Sequence, residues 1–125
     1  MKKIRLMTLM AIFCLVAPHT FAAKLSDELV AFRGLYKQLV EINTTLSEGS
    51  CTVAANAMAD RLRSAGIPDN DIHVIVPPEW PEQGNLIATL RSPVPDTDAV
   101  MLLAHIDVVE ADRADWERDP FTLIE

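Results

Sequence analysis

The chain has little glycine, few aromatic residues and no excess of positive charge. It carries four glycines in 125 residues, and none of them belongs to a glycine-rich phosphate loop or to a serine nucleophile elbow. Aromatic residues make up 6% of the chain, and the formal net charge is −7. Nucleic acids and anionic membrane surfaces bind positively charged patches, so this charge argues against both as partners.

The N-terminal segment has the order of residues that is typical of a secretory signal. Three basic residues precede a mainly apolar run over residues 6–17, and small residues follow at positions 20 and 22. This order predicts a cleaved signal peptide over residues 1–23, and therefore an exported product, periplasmic or secreted. The run is shorter than the roughly 20 residues of a membrane-spanning helix, so no stable membrane span is expected after cleavage. An uncleaved N-terminal anchor is the alternative.

Cleavage would make the product strongly acidic and would leave it one cysteine. The signal holds three of the 11 basic groups and none of the 18 acidic ones, so the remainder has a net charge of −10. Cys14 lies inside the signal, and Cys51 is then without a disulfide partner in the chain. We interpret Cys51 as a small, half-buried residue at a helix start rather than as a reactive thiol.

Two helices are expected first within residues 24–125. An apolar stripe at spacings of three and four predicts an amphipathic, core-facing helix over residues 25–43, with Ser26 as its N-cap. The stripe consists of Leu25, Leu29, Phe32, Tyr36, Leu39 and Ile42. A second helix is predicted over residues 52–65, because Gly66 suits a left-handed C-terminal cap and Pro68 prevents continuation.

Three strands are expected after the helices. Apolar segments at residues 72–76, 85–91 and 99–109 predict them, and the short connection over residues 92–98 predicts that the last two pair antiparallel. The order of elements indicates an α/β domain in which helices pack on a mixed sheet.

The last predicted strand ends in two polar residues that carry chemistry. An apolar run over residues 100–104 leads directly to His105, and Asp107 follows two positions later. Residues two apart in a strand face the same side, about 7 Å apart. Neutral imidazole is a zinc ligand, and a carboxylate beside it either binds metal or orients the ring. A hydrogen-bonded pair at a strand end, with no metal, is the simpler interpretation of the same residues.

The region around His105 resembles the zinc aminoacylase/carboxypeptidase family of metallopeptidases, which includes acetylornithine deacetylase and succinyl-diaminopimelate desuccinylase. The resemblance rests on "NLIATLR", on "VMLLAHIDVV", and on Trp116 with the Asp119-Pro120-Phe121 turn. Upstream, residues 39–67 are similar to the first two helices of that family. One departure is Glu110, where members of the family commonly have proline.

The resemblance implies a function and assigns roles to residues. His105 would bind one Zn²⁺ of a two-zinc site, and Asp107 would be the acidic catalytic residue that orients it. Trp116 and the Asp119-Pro120-Phe121 turn would pack beneath the site. The reaction would be hydrolysis of an amide bond in a short peptide or an N-acyl amino acid.

The resemblance also implies that residues 24–125 are only the N-terminal part of a catalytic domain. In the family, the remaining zinc ligands, the glutamate base and an inserted lid and dimerisation domain come after the Asp-Pro-Phe turn. We therefore expect a truncated chain that lacks the lid and is inactive by itself, and a full-length protein for which a homodimer is an option. Two alternatives are a non-catalytic binding or interaction module, and an acidic exported protein in which His105 and Asp107 merely pair.

Overall fold

Two helices and a two-stranded antiparallel sheet form the regular structure of residues 26–124, the part of the chain that the computed structural model describes. Helix α1 spans Asp27–Val40 and helix α2 spans Cys51–Ser64. Strand β1 spans Ile72–Ile75 and strand β2 spans Asn85–Ala88. This order confirms a small α/β domain. The predicted signal peptide lies outside the described residues.

Helix α1 begins as predicted and ends earlier. The Ser26 hydroxyl accepts a hydrogen bond from the Leu29 amide at 3.3 Å, which confirms Ser26 as the N-cap. The helix ends at Val40 because Asn43 starts a turn instead of extending it. The Asn43 side-chain oxygen accepts from the Thr45 amide at 2.9 Å, and its carbonyl accepts from the Ser50 amide at 2.8 Å.

Helix α2 ends in the cap that the sequence predicts. Gly66 has a φ of +90°, and its amide donates to the Arg63 carbonyl at 2.9 Å. The Ile67 amide donates to the Leu62 carbonyl at 3.0 Å, which completes a Schellman motif. Pro68 follows directly, so the chain leaves the helix toward β1.

The buried core lies between α2 and the sheet. Ala54, Ala55 and Ala59 of α2 are each at most 1% exposed, and Ile72 of β1 is 5% exposed. The sheet pairs Ile72 with Ala88 and Val74 with Leu86. Small alanine side chains allow close approach of the helix to the strands, so one face of the sheet is covered. Neither helix of residues 26–124 has the length and apolar character that a bilayer crossing requires.

The apolar stripe of α1 does not form core, which corrects the sequence prediction. Leu29, Phe32 and Tyr36 are 42–60% exposed, and α1 has no buried residue. The reason is that α1 meets α2 through polar groups: the Arg61 guanidinium donates to the Gly34 carbonyl at 3.0 Å and to the Gln38 side chain. Only the C-terminal end of the stripe is half-buried, and Leu25 lies outside the described residues.

The predicted strand over residues 99–109 is also wrong. Residues 89–112 contain no helix or strand, and β2 pairs with β1 instead. The side chains of residues 100–103 are 85–93% exposed. A strand of consecutive large apolar residues needs cover on both faces, and within residues 26–124 the only helix on the sheet, α2, already covers β1 and β2.

An ion pair between a buried aspartate and an exposed arginine joins the start of β1 to the end of β2. The Asp71 side chain, 7% exposed, accepts from Arg91 Nε at 3.0 Å and from Arg91 Nη2 at 2.5 Å. These hydrogen bonds also raise the pKa of Arg91. The Asp71 carbonyl accepts from the Thr89 amide at 2.8 Å, so the start of β1 and the end of β2 are held together.

Replacing Arg91 with methionine should destabilise the domain, because the Asp71 carboxylate would stay buried without its donors. We expect a clear decrease in the free energy of unfolding, measured by urea denaturation. The matched control is Arg63→Met, which should cost less because both aspartates that pair with Arg63 are exposed. Equal losses in the two variants would contradict a stabilising role for the Asp71–Arg91 pair.

Candidate functional site

His105 and Asp107 lie together on the irregular segment that follows the hairpin. The Nδ1 atom of His105 is 3.0 Å from the Asp107 carbonyl oxygen and 3.2 Å from its Oδ1 atom. The side chains are 84% and 70% exposed. The sequence predicted this pair on one side of a strand, whereas here the two residues meet on a segment that belongs to no strand.

The contacts at Nδ1 determine the form of the imidazole. Both partners are oxygen acceptors, so Nδ1 must carry the hydrogen in the neutral ring. Within residues 26–124 no hydrogen bond engages the other ring nitrogen, Nε2, of His105. The lone pair of Nε2 is therefore free to bind a metal ion, with Asp107 orienting the ring from behind.

The connection between the helices holds this segment by its backbone. The Thr44 hydroxyl donates to the Ile106 carbonyl at 2.8 Å, and the Val108 amide donates to the Thr44 carbonyl at 3.4 Å. Thr44 is only 4% exposed. Its two contacts lie on either side of Asp107, so Thr44 holds the backbone at both neighbours of that residue.

Glu110 forms a second attachment between the same two segments. Its carboxylate accepts from the Ser47 amide at 3.1 Å and from the Ser47 hydroxyl at 2.6 Å. In the sequence, Glu110 stands out only because members of the resembled family commonly have proline at that position. No sequence signal gives a role to Ser47 or Thr44. The sequence alone could not reveal these pairings, because 62 or 63 residues separate the partners.

Cys51 lies close enough to Asp107 for the two groups to interact electrostatically. Burial raises the pKa of the Cys51 thiol, and the negative charge of Asp107 raises it further. The thiol is half-buried and unpaired, and a raised pKa suppresses the nucleophilic thiolate. This environment agrees with the interpretation of Cys51 as a packing residue.

An apolar cavity of about 460 Å³ opens beside His105. It lies between the end of α1 and the segment that carries His105. Trp116, Pro120 and Phe121, which the resemblance assigns to packing beneath the site, line this cavity. The Asp119 carboxylate accepts from the Phe121 amide at 2.8 Å and shapes the turn that places them.

His105 supplies at most one ligand of a metal centre. No group of three or more His, Cys, Asp or Glu side chains suited to a metal ion occurs within residues 26–124. A zinc site uses three or four protein ligands, or three and a water. His105 nevertheless suits the role of one zinc ligand. In zinc proteins, one nitrogen of a neutral imidazole commonly binds the metal ion while the other donates a hydrogen bond to a carboxylate.

Comparisons with protein-family models, with curated proteins and with solved structures each give no match to this chain.

The interaction between Asp107 and Cys51 can be tested with a thiol reagent. Asp107→Asn removes the nearby negative charge, so the pKa of Cys51 should fall and its alkylation by iodoacetamide at pH 8 should accelerate. The increase should be modest, because burial is the larger cause of the raised pKa and remains in the variant. The assay uses a Cys14→Ser background, with Asp112→Asn as the control. Equal rates in both variants would show that Asp107 does not act on the thiol.

Proposed function

We propose that this chain contributes a metal-binding histidine to an exported, zinc-dependent hydrolase of amide bonds, an exopeptidase or deacylase. The observation that carries the proposal is the contact of His105 Nδ1 with Asp107, which leaves Nε2 to bind a metal ion. The motif resemblance around His105 supports the same reaction class. The substrates would be short peptides or N-acyl amino acids.

His105, Asp107 and Thr44 would each have a defined part in this chemistry. A bound Zn²⁺ supplies Lewis-acid catalysis, because it polarises a carbonyl oxygen and acidifies water. His105 would hold it through Nε2. Asp107 would keep the ring in the Nδ1–H form and orient it toward the metal ion. Thr44 fixes the backbone on both sides of Asp107, so the ring is oriented before a metal ion binds.

The rest of the centre would come from residues outside this sequence. By the family resemblance, the other ligands of the two zinc ions and the glutamate base follow residue 125, as does the lid and dimerisation domain. We therefore propose that residues 24–125 are the N-terminal part of the catalytic domain and do not hydrolyse amides alone.

A non-catalytic interaction module is the second candidate function. The exposure of the apolar side chains at residues 100–103 favours it, because contiguous exposed apolar surface often marks a protein-binding site. The two candidates differ in their requirement for a metal ion, so zinc binding separates them.

Zinc should bind His105 in preference to His73, an exposed histidine on β1 that serves as an internal control. We expect the ring signals of His105 to shift at lower zinc concentrations in an NMR titration. Asp107→Asn should weaken binding at His105 by about 10–100-fold and leave His73 unchanged. Similar titrations of the two histidines, or no effect of Asp107→Asn, would refute the proposed metal role.

The proposed export has its own test. Expressed in a Gram-negative host, the product should begin at Ala23 or Lys24 and appear outside the cytoplasm, because the short apolar run and the small residues suit signal peptidase. N-terminal sequencing decides between this outcome and a soluble product that retains Met1, which would contradict export.

A further inference from the structure

The turn that follows α1 contains a sequence signal that the proposed hydrolase does not use. Asn43, Thr44 and Thr45 form an Asn-X-Thr sequence without proline, which is the acceptor signal for N-linked glycosylation of exported proteins. Glu41 lies two positions before Asn43, where bacterial oligosaccharyltransferases require an acidic residue. The signal occurs once, because the asparagines at positions 56, 70 and 85 have no serine or threonine two residues later.

The amide nitrogen that would carry a glycan is open in the folded chain. The Oδ1 atom of Asn43 accepts from the Thr45 amide at 2.9 Å, which leaves Nδ2 on the other side of the amide group. Within residues 26–124, Nδ2 has no hydrogen-bond partner. Every buried polar side-chain atom in this part of the chain has one, so Nδ2 must lie at the surface. A sugar bonded to Nδ2 would therefore displace no hydrogen bond of the fold.

The hydroxyl group that completes the signal is open as well. Thr45 is only 5% exposed, yet its Oγ1 atom makes no hydrogen bond with any residue from 26 to 124. The Oγ1 atom must then be the part of Thr45 that reaches the surface, since a buried hydroxyl here would be paired. The turn uses the backbone amide of Thr45, so removal of the hydroxyl should leave the turn intact.

The turn would keep its shape with a glycan attached. An N-linked asparagine retains Oδ1, so the hydrogen bond from the Thr45 amide persists. Gly49 makes room for this bond, because a side chain at position 49 would collide with the Thr45 nitrogen and with Asn43 Oδ1. An open cavity of about 500 Å³ lies beside Asn43, and its lining includes the carboxylates of Glu41 and Glu48. These groups accept hydrogen bonds, which suits the hydroxyl groups of a sugar.

We propose that Asn43 is the acceptor of an N-linked glycan. The donor is an oligosaccharide linked to a polyprenyl pyrophosphate. The Nδ2 atom forms a bond to C1 of the first sugar, the bond from C1 to the phosphate oxygen breaks, and polyprenyl pyrophosphate leaves. The amide gives up one proton to a base, so no oxidant or reductant is needed.

The burial of the signal determines when the glycan is attached. Thr44 and Thr45 are 4% and 5% exposed, so an enzyme that binds the Thr45 side chain cannot reach it in the folded chain. Attachment must therefore precede folding, while the chain is still extended during export. This timing rests on the export in the proposed function, whereas the reactivity of the signal is independent of both export and zinc.

The full chain tests the proposal in a Gram-negative host that carries a bacterial oligosaccharyltransferase and its lipid-linked donor. The intact mass of the exported product should increase by one oligosaccharide over the product of a host without the enzyme. Thr45→Ala and Asn43→Gln should abolish the increase completely, and Thr45→Ser should keep it, because serine also supplies a hydroxyl. Asn70→Gln, an exposed asparagine outside the signal, is the matched control and should be glycosylated like the parent chain.

A synthetic peptide of residues 39–47 separates the reactivity of the signal from export and folding. The purified enzyme and its donor should glycosylate this peptide, and should glycosylate the purified, folded chain much more slowly, because Thr45 is buried there. Equal rates for the peptide and the folded chain would contradict attachment before folding.

Three results would overturn the assignment of Asn43. They are an exported chain without added mass, a peptide that stays unmodified, and added mass that persists in Thr45→Ala. A chain that keeps both its signal and its unmodified mass would reject attachment during export, and the peptide then decides whether Asn43 is an acceptor. None of these results depends on zinc, so the titration of His105 tests the proposed hydrolase separately.

Discussion

The hydrogen bond from the Thr44 hydroxyl to the Ile106 carbonyl is the constraint on which the candidate site depends. Residues 89–112 have no helix or strand to hold them, so their position comes from contacts with distant parts of the chain. Thr44 is buried and binds the backbone on both sides of Asp107. The Ser47–Glu110 contact attaches the same two parts of the chain a second time. These bonds hold the backbone around the direct contact between Asp107 and the His105 ring.

The local features of the fold could be predicted because their causes are local. Ser26 caps α1 through a neighbouring amide, and Gly66 ends α2 because a left-handed residue is needed there. The β1 and β2 segments are short apolar runs between turn residues, and both form strands. In each of these cases the deciding interaction lies within a few residues of the signal in the sequence.

The two predictions that were wrong concern apolar segments whose burial depends on what packs against them. The stripe of α1 and the run at residues 100–103 have the patterns of a core helix and a buried strand, yet both are largely exposed. A periodic pattern indicates which side of an element could be buried, and burial itself requires a second surface. At the candidate site, strand spacing places His105 and Asp107 on one side, whereas in the structure the pair lies outside any strand and Thr44 holds the backbone around Asp107. Thr44 and Ile106 are far apart in sequence, so periodicity contains no information about their contact.

The form of the His105 ring tests the central claim most directly. A long-range ¹⁵N NMR spectrum of the neutral chain distinguishes Nδ1–H from Nε2–H imidazole, and His73 in the same spectrum provides a reference. We predict that neutral His105 is mainly the Nδ1–H form, and that Thr44→Val shifts it toward the Nε2–H form while His73 stays the same. A neutral His105 that is mainly Nε2–H in the unaltered chain would contradict the account, because Nε2 would then have no lone pair to offer a metal ion.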